Sequence, residues 1–128
     1  MNTEQLNQYS KEILEGSIAV HREMGPGLLE GVYQQCLVKE LSLRGLRIET
    51  MVPISLQYKG HYLNKDYVID ILVEDEIILE LKAVEVILPV HEAQIISYLK
   101  LADRRLGFLI NFNVPLLKNG FKRFVNNF

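Results

Sequence analysis

Three charged side chains lie inside two apolar segments that are separated by a short acidic loop. Asp70 falls within residues 67–73, and Glu80 and Lys82 fall within residues 77–84. An unpaired charge is costly to bury, so each of these groups needs a partner. Two acids and a lysine suit a divalent metal with a water-activating cation beside it. The alternative is a structural ion pair between Asp70 and Lys82 on a solvent-facing strand.

The two segments predict a β-hairpin, and the length of its loop decides whether the charges meet. Side chains alternate along a strand, so Glu80 and Lys82 share one face. A three-residue loop over 74–76 sets Asp70 opposite Glu80, whereas a two-residue loop would separate them. Opposed carboxylates repel unless a cation lies between them, and oxygen ligands of this kind suit Mg²⁺ or Mn²⁺.

Two predicted helices carry further polar residues that share a helical face. Glu30 and Tyr33 lie one turn apart on the second helix, and Gln94 and Tyr98 lie one turn apart on the third. Each also has a plainer interpretation. Glu30 favours the positive end of its helix, the two tyrosines suit the edge of a core, and Gln94 suits an exposed surface. His91 is interpreted as a helix-start or surface residue, because the histidines lack metal-ligand spacing.

The segments that position these residues predict a mixed α/β fold with a central sheet and flanking helices. Gly25-Pro26-Gly27 ends the first helix and Gly45 closes the second. Pro53 divides two short strands, residues 59–60 form a turn, and the expected order before the last helix is α-α-β-β-β-β. Helices are predicted over residues 4–24, 28–44 and 91–103, strands over 47–52, 54–58, 67–73, 77–84 and 105–112, and a strand or helix over 119–128.

Length and composition set the class of protein. The chain has 128 residues, 48% hydrophobic and 23% charged, which favours one domain over residues 1–128. No apolar segment is long enough to span a bilayer, and residues 1–5 are too polar for a signal peptide. Cys36 is the only cysteine, which excludes an intramolecular disulfide and a multi-cysteine zinc site. A cytoplasmic protein without a membrane partner is expected.

The charge is divided unevenly along the chain. Residues 1–81 hold 7 Lys/Arg and 13 Asp/Glu, a net of -6, and residues 82–128 hold 7 and 3, a net of +4. A basic C-terminal part beside an acidic site suits a nucleic-acid backbone held next to a metal. The alternative is an ordinary solvated surface. The candidate phosphate contacts are Lys100, Arg104, Arg105, Lys118, Lys122 and Arg123.

These motifs occur together in an order that resembles one known family. Residues 27–33 form the pattern Gly-x-x-Glu-x-x-Tyr, followed by Asp70, by Glu80-x-Lys82 and by Gln94-x-x-x-Tyr98. From about residue 8 to 125, the chain resembles the GxxExxY protein family of the PD-(D/E)XK nuclease-like superfamily. The segments 89–94 and 109–113 belong to the resemblance.

The resemblance implies a restriction-endonuclease-like core and a role for each motif residue. Asp70 and Glu80 look like the metal-binding acids, helped by the backbone carbonyl of Leu81. Lys82 looks like the residue that orients or deprotonates the attacking water. Glu30 matches the acid from the first core helix and is an additional candidate metal ligand. Similarity to the exonuclease-like branch adds Gln94 and Tyr98 to the catalytic set.

Two functions are compatible with these residues. The first is a Mg²⁺-dependent (or Mn²⁺-dependent) nuclease that hydrolyses phosphodiester bonds in DNA through Asp70, Glu80 and Lys82. The second is a catalytically inactive nucleic-acid-binding or accessory module on the same scaffold. A homodimer that builds its substrate groove across two subunits is compatible with either function.

Overall fold

A five-stranded sheet carries the two apolar segments that hold the charged residues. The computed structural model describes residues 2–128, apart from the side chain of Lys65. Flanking helices complete the predicted α/β class, which is confirmed. The helices are α1 (Thr3–Met24), α2 (Glu30–Leu43) and α3 (Pro89–Leu101). The strands are β1 (Ile48–Tyr58), β2 (His61–Val73), β3 (Ile77–Lys82), β4 (Leu106–Asn111) and β5 (Phe121–Val125), the last preceded by a short 3₁₀ helix, Leu117–Gly120.

The strands lie in the sheet in chain order. Neighbours are antiparallel except β3 and β4, which are parallel. A parallel pair requires a crossover connection, and α3 supplies it. Ile77 pairs with Leu106 and Lys82 pairs with Asn111, so the C-terminal ends of β3 and β4 lie side by side.

Helices cover both faces of β3. On one face α1 and α2 pack against Leu79 and Leu81. On the other face α3 packs against Ile78. Because side chains alternate along a strand, Glu80 and Lys82 belong to the face that α3 covers. The two acidic and basic residues of β3 therefore point into the layer between the sheet and α3.

The loop between α1 and α2 follows its proline and glycines. α1 ends at Met24, and Gly25 and Gly27 have φ angles of 71° and 97°, which glycine adopts without strain. At its other end, Asn2 and Gln5 form a capping box that satisfies backbone N–H groups of the first turn. No helix in the described residues 2–128 has the length and apolarity needed to cross a bilayer.

Two strands are longer than predicted. Pro53 lies inside β1, opposite Val68 of β2, instead of dividing two strands. β1 is an edge of the sheet, where the missing N–H of proline is tolerated. Residues 61–63 are continuous with the segment around Asp70. Three strands, not four, therefore precede α3, and the prediction of four was wrong.

The C-terminal strands explain two further differences. β3 ends at Lys82 instead of residue 84, because the backbone of Val84 bonds the side chain of Asn111 instead of a neighbouring strand. The tail, predicted as strand or helix, forms β5. It pairs with β4 from Leu106–Val125 to Ile110–Phe121, and so covers the free edge of β4.

Candidate active site

The hairpin of β2 and β3 has the predicted register. Val73 pairs with Ile77 across a three-residue turn. Continuing this register sets Asp70 opposite Glu80. The Asp70 carboxylate accepts a hydrogen bond from the Leu81 backbone N–H at 3.0 Å, which fixes one of its oxygens against β3. The local sequence of one hairpin therefore brings both acids to the same place.

Glu80 is a buried carboxyl with an unsatisfied oxygen. Its exposed fraction is 3%, and its Oε1 atom has no hydrogen-bond partner among the described residues. Burial raises the pKa of Glu80 to about 10, and the negative charge of Asp70 adds to this rise. A buried polar atom without a partner is rare in folded proteins and marks a place where a ligand or ion fits.

Lys82 is half-buried and follows Glu80 on the same strand face. Its backbone carbonyl accepts a hydrogen bond from the Phe112 N–H at 3.0 Å. Beside it in the sheet, the Asn111 side chain accepts from the Val84 N–H at 3.1 Å and donates to the Val84 carbonyl at 2.9 Å. Backbone contacts on both sides of Lys82 thus fix where its side chain leaves the strand.

Glu30, the first residue of α2, lies in the electrostatic field of the hairpin charges. Burial raises the pKa of the Glu30 carboxyl, Lys82 opposes this rise, Asp70 adds to it, and His91 opposes it. A negative group at a helix N-terminus is also favoured by the helix dipole. The structure therefore brings Glu30 to the group formed by Asp70, Glu80 and Lys82.

Tyr33 has a structural position. It is completely buried and stacks on Phe112, with ring centroids 4.6 Å apart. Its hydroxyl donates to the Gly25 carbonyl at 2.5 Å and accepts from the Leu28 N–H at 3.1 Å. Tyr33 therefore fixes the loop that leads into α2, and it acts on Glu30 only through the start of that helix. The plainer interpretation of this tyrosine is confirmed.

Gln94 and Tyr98 lie together on α3. The Gln94 Nε2 atom donates to the Tyr98 hydroxyl at 2.9 Å. Burial raises the pKa of the Tyr98 hydroxyl, and the charges of Glu80 and Asp70 add to the rise. Tyr98 is 4% exposed, so it is a core-edge aromatic as well as a neighbour of both acids. The face of α3 predicted to approach the hairpin does so.

Three residues near the acids were not predicted as part of a site. Asn111 ends an apolar strand, and a buried amide at such a position is the signal that identifies it. The Gln34 Nε2 atom donates to the Asp70 carbonyl at 3.4 Å, from one turn after Glu30. His91 lies at the start of α3, as predicted, where its Nδ1 atom accepts from the Leu88 N–H at 3.0 Å.

The six basic residues proposed as phosphate contacts do not converge on the acids. Arg104 and Arg105 lie just before β4, at the end of the sheet opposite Lys82. The strand positions from Ile77 to Lys82 span roughly 17 Å. Arg104 pairs with Asp75 at 3.1 Å. On the α3 side, Lys122 pairs with Glu92 at 3.0 Å, and Arg123 lies over the Phe128 ring.

The carboxyl groups fit a small hard cation. In the part of the chain that the structure describes, no group of three or more His, Cys, Asp and Glu side chains is arranged to hold a metal ion. Mg²⁺ needs fewer, because it keeps several waters and binds one or two carboxylates. Asp70 beside the unsatisfied Oε1 atom of Glu80 is a donor set of that size. The residues present therefore fit Mg²⁺ or Mn²⁺.

The comparisons with known proteins agree with this geometry. A family model described as the PD-(D/E)XK nuclease superfamily matches residues 7–124. The matched range runs from α1 into β5 and contains every candidate site residue. The mixed sheet with flanking helices is consistent with the core of that superfamily. No curated protein and no solved structure matches the chain.

Proposed function

Because the chain belongs to the PD-(D/E)XK nuclease superfamily, we propose that it is a divalent-metal-dependent nuclease that hydrolyses phosphodiester bonds in DNA. The observation that carries this proposal is the buried Glu80 carboxyl, whose Oε1 atom lacks a partner while Asp70 lies beside it. Two neighbouring carboxyl groups without a cation are unfavourable, so a fold that keeps both there has a use for a cation.

Asp70, Glu80 and the backbone carbonyl of Leu81 are the proposed ligands of Mg²⁺ or Mn²⁺, with Glu30 as an additional candidate. A bound ion of this kind polarises a phosphate and lowers the pKa of water. The Leu81 N–H holds one Asp70 oxygen, so the other oxygen of that carboxylate is available for coordination.

Lys82 is the proposed water-positioning residue. Its ammonium lies on the strand face of Glu80, where it holds the attacking water by donating a hydrogen bond and offsets the negative charge that develops on the phosphate. Glu30 attracts this ammonium across the site and orients it. Gln94 and Tyr98 form the wall on the α3 side and limit the space open to solvent beside the acids.

The finer family assignment to the GxxExxY proteins is part of the proposal. It is supported by the separate tasks of its three motif residues. Gly27 adopts a positive φ in the loop, Glu30 opens α2 toward the hairpin, and the Tyr33 hydroxyl ties the loop at Gly25. The motif thus serves to deliver one acid to the site in a fixed position.

DNA as the substrate is proposed from the basic excess of residues 82–128. Arg104 and Lys122 already pair with carboxylates, so Lys100, Lys118 and Arg123 are the stronger candidates for phosphate contacts. Contacts of this kind position a backbone without reading its sequence, and they weaken with salt.

A metal-dependent cleavage assay over single-stranded, double-stranded and branched DNA tests the proposal. Asp70→Ala and Lys82→Ala are expected to lose about 10²-fold or more of the rate, with unchanged circular dichroism. Asp66→Ala, an exposed acid of the same strand, is the matched control. Full metal-dependent activity in Asp70→Ala, or no Mg²⁺ or Mn²⁺ binding by calorimetry at millimolar metal, would reject the nuclease assignment.

A further inference from the structure

A cavity of about 360 Å³ lies between the N-terminal half of α3 and β2. Its walls include the residues Tyr67, His91, Ala93, Gln94, Ser97 and Tyr98. This volume is large enough to admit a planar heterocycle. The cavity is separate from the carboxyl groups themselves, and the proposed hydrolysis does not account for it.

Two of the wall residues also border the acids. The Tyr98 hydroxyl interacts electrostatically with Glu80 and Asp70, and His91 interacts with Glu30. A molecule that places a phosphate at the acids is therefore able to place a neighbouring group in the cavity.

Aromatic rings form one side of the cavity. The rings of Tyr67 and Tyr98 have centroids 5.4 Å apart and are tilted by 35°. Tyr67 is 48% exposed although it is a large aromatic residue on a strand. A partly exposed ring beside a cavity is a stacking surface for a flat ligand.

Polar groups with fixed roles form the rest of the wall. Gln94 donates one N–H to Tyr98, and its carboxamide oxygen has no hydrogen bond to any described residue. Because the His91 Nδ1 atom accepts from Leu88, the proton of the neutral ring lies on Nε2, which is a donor. An acceptor, a donor and the exposed Ser97 hydroxyl match the hydrogen-bonding edge of a heterocycle.

The charge of the wall argues against a phosphate in this cavity. None of the lining residues that the structure describes is a lysine or an arginine. A phosphate would lack the cationic partner that it normally has in a protein site. A neutral planar group with hydrogen-bonding edges has what it needs here.

We propose that this cavity receives the unpaired base of a nucleotide whose phosphate lies at Asp70 and Glu80, so that the substrate is single-stranded or locally unpaired DNA. This inference rests on the proposed nuclease function for the position of the phosphate. A base that is paired and stacked in a duplex cannot enter such a pocket without leaving the stack.

Filling the cavity tests the inference directly. Ala93 is an exposed wall residue of α3, and Ala93→Trp places a large side chain in the cavity without removing a site residue. Ile96→Trp is the matched control, because Ile96 is 40% exposed on the same helix and does not line the cavity. Circular dichroism and thermal unfolding of both variants verify that they fold.

The probe is a fluorescein-labelled single-stranded DNA of roughly ten nucleotides, within the range of known site sizes. Its binding is measured by fluorescence anisotropy in Ca²⁺, compared with a strand of the same length whose central nucleotides are abasic and with the duplex. The wild-type protein is expected to bind the normal strand about tenfold more tightly than the abasic strand or the duplex. Ala93→Trp is expected to lose this preference, and Ile96→Trp to keep it.

Equal affinity of the wild-type protein for the normal and abasic strands would overturn the inference, as would an unchanged preference in folded Ala93→Trp. Hydrolysis of methyl p-nitrophenyl phosphate in Mg²⁺ reports on the acids alone. Hydrolysis without a base preference rejects the cavity assignment and leaves the nuclease. A base preference that is lost in Ala93→Trp, without hydrolysis, supports base binding in the cavity and rejects the nuclease.

Discussion

The carboxamide of Asn111 holds the peptide unit of Val84 from both sides. Its Oδ1 atom accepts from the Val84 N–H at 3.1 Å, and its Nδ2 atom donates to the Val84 carbonyl at 2.9 Å. Asn111 also lies beside Lys82 in the parallel register. The chain is therefore fixed immediately after the residue proposed to hold water, and Asn111 is a positioning residue for Lys82.

Replacing Asn111 by alanine is expected to lower the free energy of unfolding by about 1–3 kcal/mol, because the peptide of Val84 loses two hydrogen bonds. We expect the hydrolysis rate at saturating Mg²⁺ to fall as well, while KM changes little. Urea unfolding and steady-state kinetics measure the two effects. Asn113→Ala is the control, since Asn113 contacts Asn111 through its backbone N–H. Unchanged stability of Asn111→Ala would contradict this role.

The stability of the metal-free protein should depend on Glu80 and fall with rising pH. Burial raises the pKa of this carboxyl from 4.5 to about 10, so the folded state holds a proton that the unfolded state releases above pH 4.5. The stabilisation is complete below pH 4.5 and is lost as the pH rises toward 10.

Urea unfolding in EDTA at pH 5, 7 and 9 measures this dependence, with Glu80→Gln as the comparison. The wild-type protein should lose stability relative to the glutamine variant by about 1 kcal/mol per pH unit. Parallel pH profiles for the two proteins would show that Glu80 keeps an ordinary pKa in the fold.

Metal binding is expected to release a proton at pH 7. A carboxylate must be deprotonated to coordinate a cation, and Glu80 is protonated at this pH in the metal-free fold. Calorimetric titration with Mn²⁺ in two buffers of different ionisation enthalpy gives the number of protons released, which should be about one. A binding enthalpy that does not depend on the buffer would exclude Glu80 as a ligand that titrates on binding.

Tyr33→Phe should separate the structural tyrosine from the site. The variant keeps the stack on Phe112 but loses the hydroxyl that bonds Gly25 and Leu28. We expect a loss of about 1–2 kcal/mol in unfolding free energy, with hydrolysis per folded molecule reduced less than tenfold. Tyr9→Phe is a comparison variant on α1. A loss of hydrolysis as large as that of Lys82→Ala would place Tyr33 in the site.

The part of the site that could be predicted from the sequence is the part built by one hairpin. Strand alternation and the loop length determine that Asp70 lies opposite Glu80, and the structure has that register. Both are local properties, so they need no knowledge of the rest of the fold. The helix start at Glu30 was predictable for the same reason, because Pro26 and two glycines precede it.

The contacts that escaped prediction join distant segments. The bonds between Asn111 and Val84 require β4 to lie parallel to β3, and the approach of His91 to Glu30 requires α3 to pack over the sheet. Pro53 misled the prediction because proline interrupts a central strand but is tolerated at an edge, and no local signal identifies which strand is the edge.

The parallel pairing of β3 with β4 also orders the events by which the chain folds. The hairpin of β2 and β3 closes over a three-residue turn, and such hairpins form in roughly 1–10 μs. The pairing with β4 spans the whole crossover through α3, and non-local contacts of this kind form later. Asp70 and Glu80 thus meet early, whereas Asn111 reaches the Lys82 end of β3 last, so the mature geometry of the site is among the final products of folding.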